Sequence, residues 1–266
     1  MKVLCAFIFI VAVSCKDILD CIQKPSGDKK LRIGGPDACE VKPHSKPWIV
    51  NLRPNATCGG TLIAKNVVLT ARHCKVFEGD SVTIGDHDED DFDNGEKSIK
   101  IKNRINADIE ECGDNCDLAI LVLEESVQTN ENVQIAHLPS AEEPCPPGKD
   151  LVVCGWGDDA FNESRRTDKL WCVAQKCVDD SECPLNPFPQ EYTLCISDPE
   201  NENNSACGGD SGGPLTHTDE NGKTTLYGVV SRQGDHPNCK STGLFMRVSN
   251  PNVLNWINKH IQQNTE

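Results

Sequence analysis

Sixteen cysteines are spread along this 266-residue chain. Cysteines at that density point to disulfides, and disulfides persist in oxidising compartments, so the chain reads as one cross-linked outside the cytosol. The first residues agree. Met1-Lys2 is a short basic start, and Val3 to Val13 is an apolar run of the length of a signal-peptide core. Val13 and Cys15 are small enough to precede a cut ahead of Lys16. The run falls short of the roughly 20 residues that cross a bilayer. Residues 1–15 are therefore expected to be a secretory signal, with the remainder secreted and extracellular. Removing Cys5 and Cys15 leaves an even number of cysteines.

The net charge is −15. It argues against a chain that works by neutralising nucleic-acid phosphates or gripping anionic lipid, so neither nucleic acid nor membrane is expected as a partner. From Lys16 to Arg32 the chain is polar, with Pro25, Ser26 and Gly27 together, and ends in Lys29, Lys30, Leu31 and Arg32. Such a linker with a basic end is an easy proteolytic target, or simply a solvated charge run. Beyond it, short aliphatic runs recur between clusters of Gly, Pro, Asn and Asp: Thr61-Leu62-Ile63, Val67 to Thr70, Leu118 to Leu123, Leu226 to Val230. This is the pattern of an all-β fold built as a sandwich or barrels. The last segment differs. Asn250-Pro251 opens it, and Val253, Leu254, Ile257 and Ile261 repeat at helical spacing.

Three short motifs carry chemistry: Leu69-Thr70-Ala71-Arg72-His73-Cys74, Cys116-Asp117-Leu118-Ala119-Ile120-Leu121, and Cys207-Gly208-Gly209-Asp210-Ser211-Gly212-Gly213-Pro214. A lone His after a strand or Asp before one is ordinarily structural. The glycine-rich third motif is different, because it sets a hydroxyl in a loop whose backbone N–H groups can converge on one point, as an oxyanion hole requires. His, Asp and Ser in that chain order form a constellation for nucleophilic acyl transfer.

On these motifs the chain resembles the chymotrypsin/trypsin family of serine proteases from about Ile33 to Ile261. The resemblance implies two six-stranded antiparallel β-barrels with the active site between them and a C-terminal α-helix. It implies His73 as general base and acid, Asp117 as its orienting partner, Ser211 as nucleophile, and the N–H groups of Gly209 and Ser211 as oxyanion hole. Ser231 would support Asp117 and line the cleft. Residues 16–32 become an activation pro-segment and 33–266 the protease domain. A trypsin-like protease would cut after Arg32 and free the Ile33 amine to pair with Asp210. Only one aliphatic, Ile33, precedes Gly34-Gly35, where the family has two.

The pocket that selects the substrate residue before the cut would have Ser205 and Ala206 at its floor and Gly243 open on one wall. Without a floor carboxylate, uncharged Phe, Tyr, Leu or Met is expected there; if Gln233 narrows the pocket, the preference becomes elastase-like. A binding or regulatory homologue without catalysis is the alternative class. The expected partners are protein or peptide substrates, the activating protease and protease inhibitors, and the expected state is a monomer.

Family pairs would join Cys58–Cys74, Cys183–Cys195, Cys207–Cys239 and Cys39–Cys172. The bridge that would reach position 217 is lost at both ends, to His217 and Leu151. Cys21, Cys112, Cys116, Cys145, Cys154 and Cys177 remain, with fifteen possible connectivities: Cys112 with Cys116 would make a local loop, and Cys21 with Cys145 or Cys177 would tether the pro-segment; zinc is the rival reading of these cysteines. No cofactor is required. Asp86 to Glu96 packs seven carboxylates into eleven residues, and Asp86 and Glu96 match the spacing of the family's calcium ligands; the bland reading is a solvated, self-repelling loop. Asn55 and Asn162 head N-glycosylation sequons. Asn203 heads a third, discounted because it abuts the Ser205 pocket. Arg165-Arg166 is a nicking site or a solvated loop.

Overall fold

A computed structural model describes residues 21–23, 37–91, 95–141, 143, 145, 150–159, 162–166, 168–185, 188–198, 201, 204–233 and 242–265. Strands β1 (Cys21–Gln23) and β2 (Cys39–Val41) lead into β3 (Ile49–Asn51), β4 (Gly59–Ala64), β5 (Val67–Thr70), β6 (Ser81–Ile84), β7 (Lys97–Asn106) and β8 (Ala119–Leu123). The order β3-β4-β5-β8-β7-β6 closes on itself where Val50 pairs with Ile84. This is the first six-stranded antiparallel barrel.

The second half contributes β9 (Asp150–Gly155), the short pair β10 (Asp158–Asp159) and β11 (Asn162–Arg166), β12 (Trp171–Cys177), β13 (Thr193–Ser197), β14 (Pro214–Thr218), β15 (Thr224–Gln233) and β16 (Gly243–Arg247). β9 pairs with β12 on one side and β14 on the other, so β9-β12-β13-β16-β15-β14 closes the second barrel; β2 and β1 extend it outward from β12. Strands β4, β5 and β8 are short, mostly aliphatic and buried along their whole length, with Leu62, Val68, Leu69, Ile120 and Leu121 fully buried, whereas β7 turns alternate residues to solvent. Closure removes the edges of the first barrel, and in the second sheet it leaves only the outward β2–β1 extension.

Helix α1 (Pro251–Asn264) ends the fold as its periodicity predicts. The Asn250 side chain accepts from the N–H groups of Asn252 and Val253 at 2.8 and 3.2 Å, and Pro251 takes the first helical position, where a missing N–H costs nothing. Val253, Leu254, Trp256 and Ile257 bury against the core of the first barrel, although the helix follows the second. Asn66, beside β5, donates to Asn264 O at 2.8 Å and pins the far end. Among the described residues no helix is long and apolar enough to cross a membrane.

Among the described residues, disulfides join Cys58 to Cys74, Cys145 to Cys177, Cys154 to Cys172 and Cys183 to Cys195. The expected Cys39–Cys172 pair is corrected. Cys172 sits on β12 between two neighbours, and the register places Cys39 opposite it on β2 and Cys154 opposite it on β9. The structure bonds the β9 partner, with Cα atoms 4.1 Å apart; Cys39 is bonded elsewhere. Cys145 and Cys177 bond each other, so neither is available to Cys21. Cys207 is bonded, and Cys239, its expected partner, lies outside the described residues. The expected Cys112–Cys116 bridge is not formed: both are buried free thiols, held protonated above the ordinary thiol range chiefly by burial.

Candidate active site

The three motifs meet at the seam between the barrels. Gly59, which opens β4 of the first barrel, donates its N–H to the Ser211 carbonyl at 2.8 Å. Gly212 has φ +77°, and a Cβ there would strike Thr70 Oγ1 and the Gly59 carbonyl. Only glycine lets the backbones approach this closely in that conformation. The Cys58–Cys74 bridge fastens the residue after His73 beside the same contact.

His73 follows β5, and Asp117 sits just ahead of β8, the strand β5 pairs with. The His73 N–H donates to Asp117 Oδ1 at 2.9 Å, and its ring Nδ1 lies 2.7 Å from Oδ2. Ser231, in β15 of the other barrel, donates its hydroxyl to Oδ2 at 2.6 Å. Burial by itself would raise the Asp117 carboxyl; the bonds from His73 and Ser231 together outweigh it and hold the group below the ordinary carboxylate range. The carboxylate thus stays ionised with its lone pairs aimed at the imidazole. The His73 side chain is 44% exposed and Ser211 is half-buried. No hydrogen bond joins Ser211 to His73 here; such contacts are often long in unliganded sites and tighten with substrate. The N–H groups of Gly209 and Ser211 donate to no protein acceptor, which leaves both available to an incoming oxygen.

Asp210 points away from the cleft and is fully buried. It accepts from Gly157 N at 2.9 Å and Cys207 N at 2.7 Å, and among the described residues it forms no ion pair. Burial pushes its carboxyl up to about 7 despite those two bonds. Its oxygens fill space that side chains at Gly155 and Gly157 would occupy: a Cβ on Gly157 would lie 2.6 Å from both Oδ1 and Oδ2. Sequence reasoning passed over these glycines, although Gly155-Trp156-Gly157 was the available signal. Arg32 and Ile33 lie outside the described residues.

Ser205 and Ala206 are both 2% exposed, and the Ser205 hydroxyl is spent on the Ala206 carbonyl at 3.0 Å. Gln233 pairs with Gly243 across β15 and β16, and a Cβ on Gly243 would meet the Phe245 ring at 2.9 Å. Beside them, Asn204 Nδ2 donates to Asp37 Oδ2 and Asp198 Oδ2 at 2.9 and 2.6 Å.

The acidic loop forms a separate site. Asp86 and Glu96 line one cavity of about 450 Å³ with Asp88, Glu89 and Asp90. Asn51 Nδ2 donates to Asp86 Oδ2 and Glu89 Oε1, and Arg53 pairs with Glu89. Asp86 Oδ1 is buried with no hydrogen-bond partner, and burial raises the Asp86 carboxyl. Among the described residues the only tight cluster of three metal-type ligands is Cys58, His73 and Cys74, whose sulfurs are consumed by their own disulfide. Asn55 is exposed on a turn, as a glycan acceptor must be; the Asn162 side chain and Asn203 lie outside the described residues.

Comparison with known proteins agrees with this geometry. The trypsin family profile matches residues 37–257. Over 250 residues the chain is 32% identical to chymotrypsin-C of Bos taurus, covering 86% of this chain and 88% of that protein.

Proposed function

The chain belongs to the trypsin family of serine proteases, and from that premise we propose a secreted endopeptidase, made as a zymogen, that cuts after uncharged residues. The observation that carries this reading is the Asp117 carboxylate, bonded by His73 through two atoms and by Ser231, at the seam where Ser211 is held.

His73 takes the Ser211 proton as the hydroxyl attacks the substrate carbonyl, and returns it to the leaving amine. Asp117 fixes the tautomer in which Nδ1 carries hydrogen and stabilises the imidazolium. The N–H groups of Gly209 and Ser211 receive the developing oxyanion, each such donor being worth about 10²–10³ in rate. Cleavage after Arg32 frees an Ile33 ammonium to join Asp210. The neutral Ser205 floor leaves a substrate Arg or Lys without a partner, a costly burial, and so favours Phe, Tyr, Leu or Met.

The test is to treat the full chain with trypsin and offer peptides varied at the residue before the cut. Cleavage after Phe, Tyr, Leu or Met is expected, and is lost in Ser211→Ala. Cleavage after Arg or Lys keeps the mechanism and overturns the Ser205 assignment. No cleavage, with Ile33 verified as the new amino terminus, points instead to a binding homologue.

Proteases of this family need no cofactor, yet the orphaned Asp86 Oδ1 suits a hard cation that takes oxygen ligands. Asp86 and Glu96 are the proposed calcium ligands, and the ion would offset the mutual repulsion of the loop. Saturating calcium should raise Tm by about 5 °C over chelator. A shift that survives Asp86→Asn with Glu96→Gln would remove these two residues from the role.

A further inference from the structure

The chain is strongly acidic, yet the groove beside His73 is lined with base. A cleft of about 580 Å³ holds His73 and Asp117 among Arg72, Lys75 and Arg232. Arg72 is half-buried, and Lys75 and Arg232 are exposed. None of the three takes part in an ion pair among the described residues. Two carboxylates line the same cleft. Asp117 is committed to His73 and Ser231, which leaves the exposed Asp114 facing three cations. In a chain with 41 acidic and 26 basic residues, this local balance is the reverse of the whole.

The cations stand on braced backbone. Arg104 of β7 donates to the carbonyls of Arg72 and Val76, and its guanidinium lies 5.4 Å over the Phe77 ring. The stretch that carries Arg72, His73 and Lys75 is therefore clamped at both ends. Arg232 stands next to Ser231, on β15 across the cleft. Unpaired cations on both walls of a substrate groove attract an anionic peptide and repel a basic one. The acidic body repels anions at a distance, so discrimination operates at contact range, inside the cleft.

We infer that Arg72, Lys75 and Arg232 select peptide substrates bearing Asp or Glu on residues flanking the one before the cut. This rests on the protease reading above and names its substrate class. The test uses the trypsin-activated full chain and three peptides identical in the residue before the cut, with Ala, Glu or Lys at its flanks. At low salt, kcat/KM for the Glu peptide should exceed that for Ala by about tenfold and that for Lys by more. The preference should shrink towards parity in about 0.5 M salt, where exposed charges are screened. Arg232→Glu should reverse the Glu-over-Lys order; Lys75→Glu, at an exposed position, serves the same comparison if Arg232→Glu does not fold. Equal cleavage of the three peptides, or a Glu preference that survives both reversals, overturns the inference while leaving the protease intact. No cleavage of any peptide, with Ile33 verified as the amino terminus, overturns the protease reading and this inference with it.

Discussion

Replacing Ser211 by Ala should lower kcat/KM of the activated protein by about 10⁵–10⁶-fold, with Tm unchanged. The substitution is structurally mild, because the Gly59 contact uses the Ser211 carbonyl and not its hydroxyl. Asp117→Asn should cost about 10⁴-fold. Its carboxylate now accepts from His73 N, His73 Nδ1 and Ser231 Oγ. An amide has one oxygen for those three donors, so its NH₂ must face a donor or turn the imidazole to the wrong tautomer. Rates on one good peptide, with thermal melts alongside, check both. Retention of a tenth of the parent activity by Ser211→Ala would remove Ser211 as the nucleophile.

The uncut chain should lose stability as pH rises from about 4 to 7, by on the order of 4 kcal/mol. The cause is Asp210. Folded, its carboxyl holds a proton up to about 7, whereas the ordinary value is 3.8. Between those values the folded state binds more protons than the unfolded one, so raising the pH favours unfolding. The proton is fully retained by both states below about 4, and the loss is complete above about 7. Cutting after Arg32 should reverse the sign: an Ile33 ammonium beside Asp210 lowers its pKa, and stability then rises as the pH passes upward through the ordinary carboxylate value. The measurement is denaturant unfolding of uncut Arg32→Gln from pH 4.5 to 8, against the same chain with Asp210→Asn. Asparagine in that pocket faces the same Gly157 and Cys207 donors, at a cost that does not vary with pH. Equal slopes for the two chains would show that Asp210 is not the titrating group.

Much of this site is legible before any coordinates. His73, Asp117 and Ser211 lie in short local motifs, and Ser231 follows from family resemblance. The strands are legible as aliphatic runs between turn residues, and α1 from its period and its Asn250-Pro251 start. The illegible parts are properties of register and of empty space. Cys172 faces a cysteine on each neighbouring strand, and only the relative placement of β2, β9 and β12 decides which bond forms. Gly155 and Gly157 matter for the atoms they lack, which make room for Asp210. Arg72 sits inside a motif read for its histidine, and its effect emerges only when Lys75 and Arg232 are seen around the same groove.

The docking of α1 bears on how the chain acquires its structure during synthesis. Every strand of the first barrel is present once Leu123 has been made. The apolar face completed by Val253, Leu254, Trp256 and Ile257 stays open until the helix Pro251–Asn264 emerges. The amino-terminal half is therefore expected to reach its final packing only after this helix docks, which departs from the usual order in which the earlier domain folds first. Long-range closure of this kind slows folding, because the loop entropy is lost before the contacts are gained. It also acts as a check on completeness: a chain truncated before Pro251 carries both halves of the triad but lacks the piece that seals its first barrel.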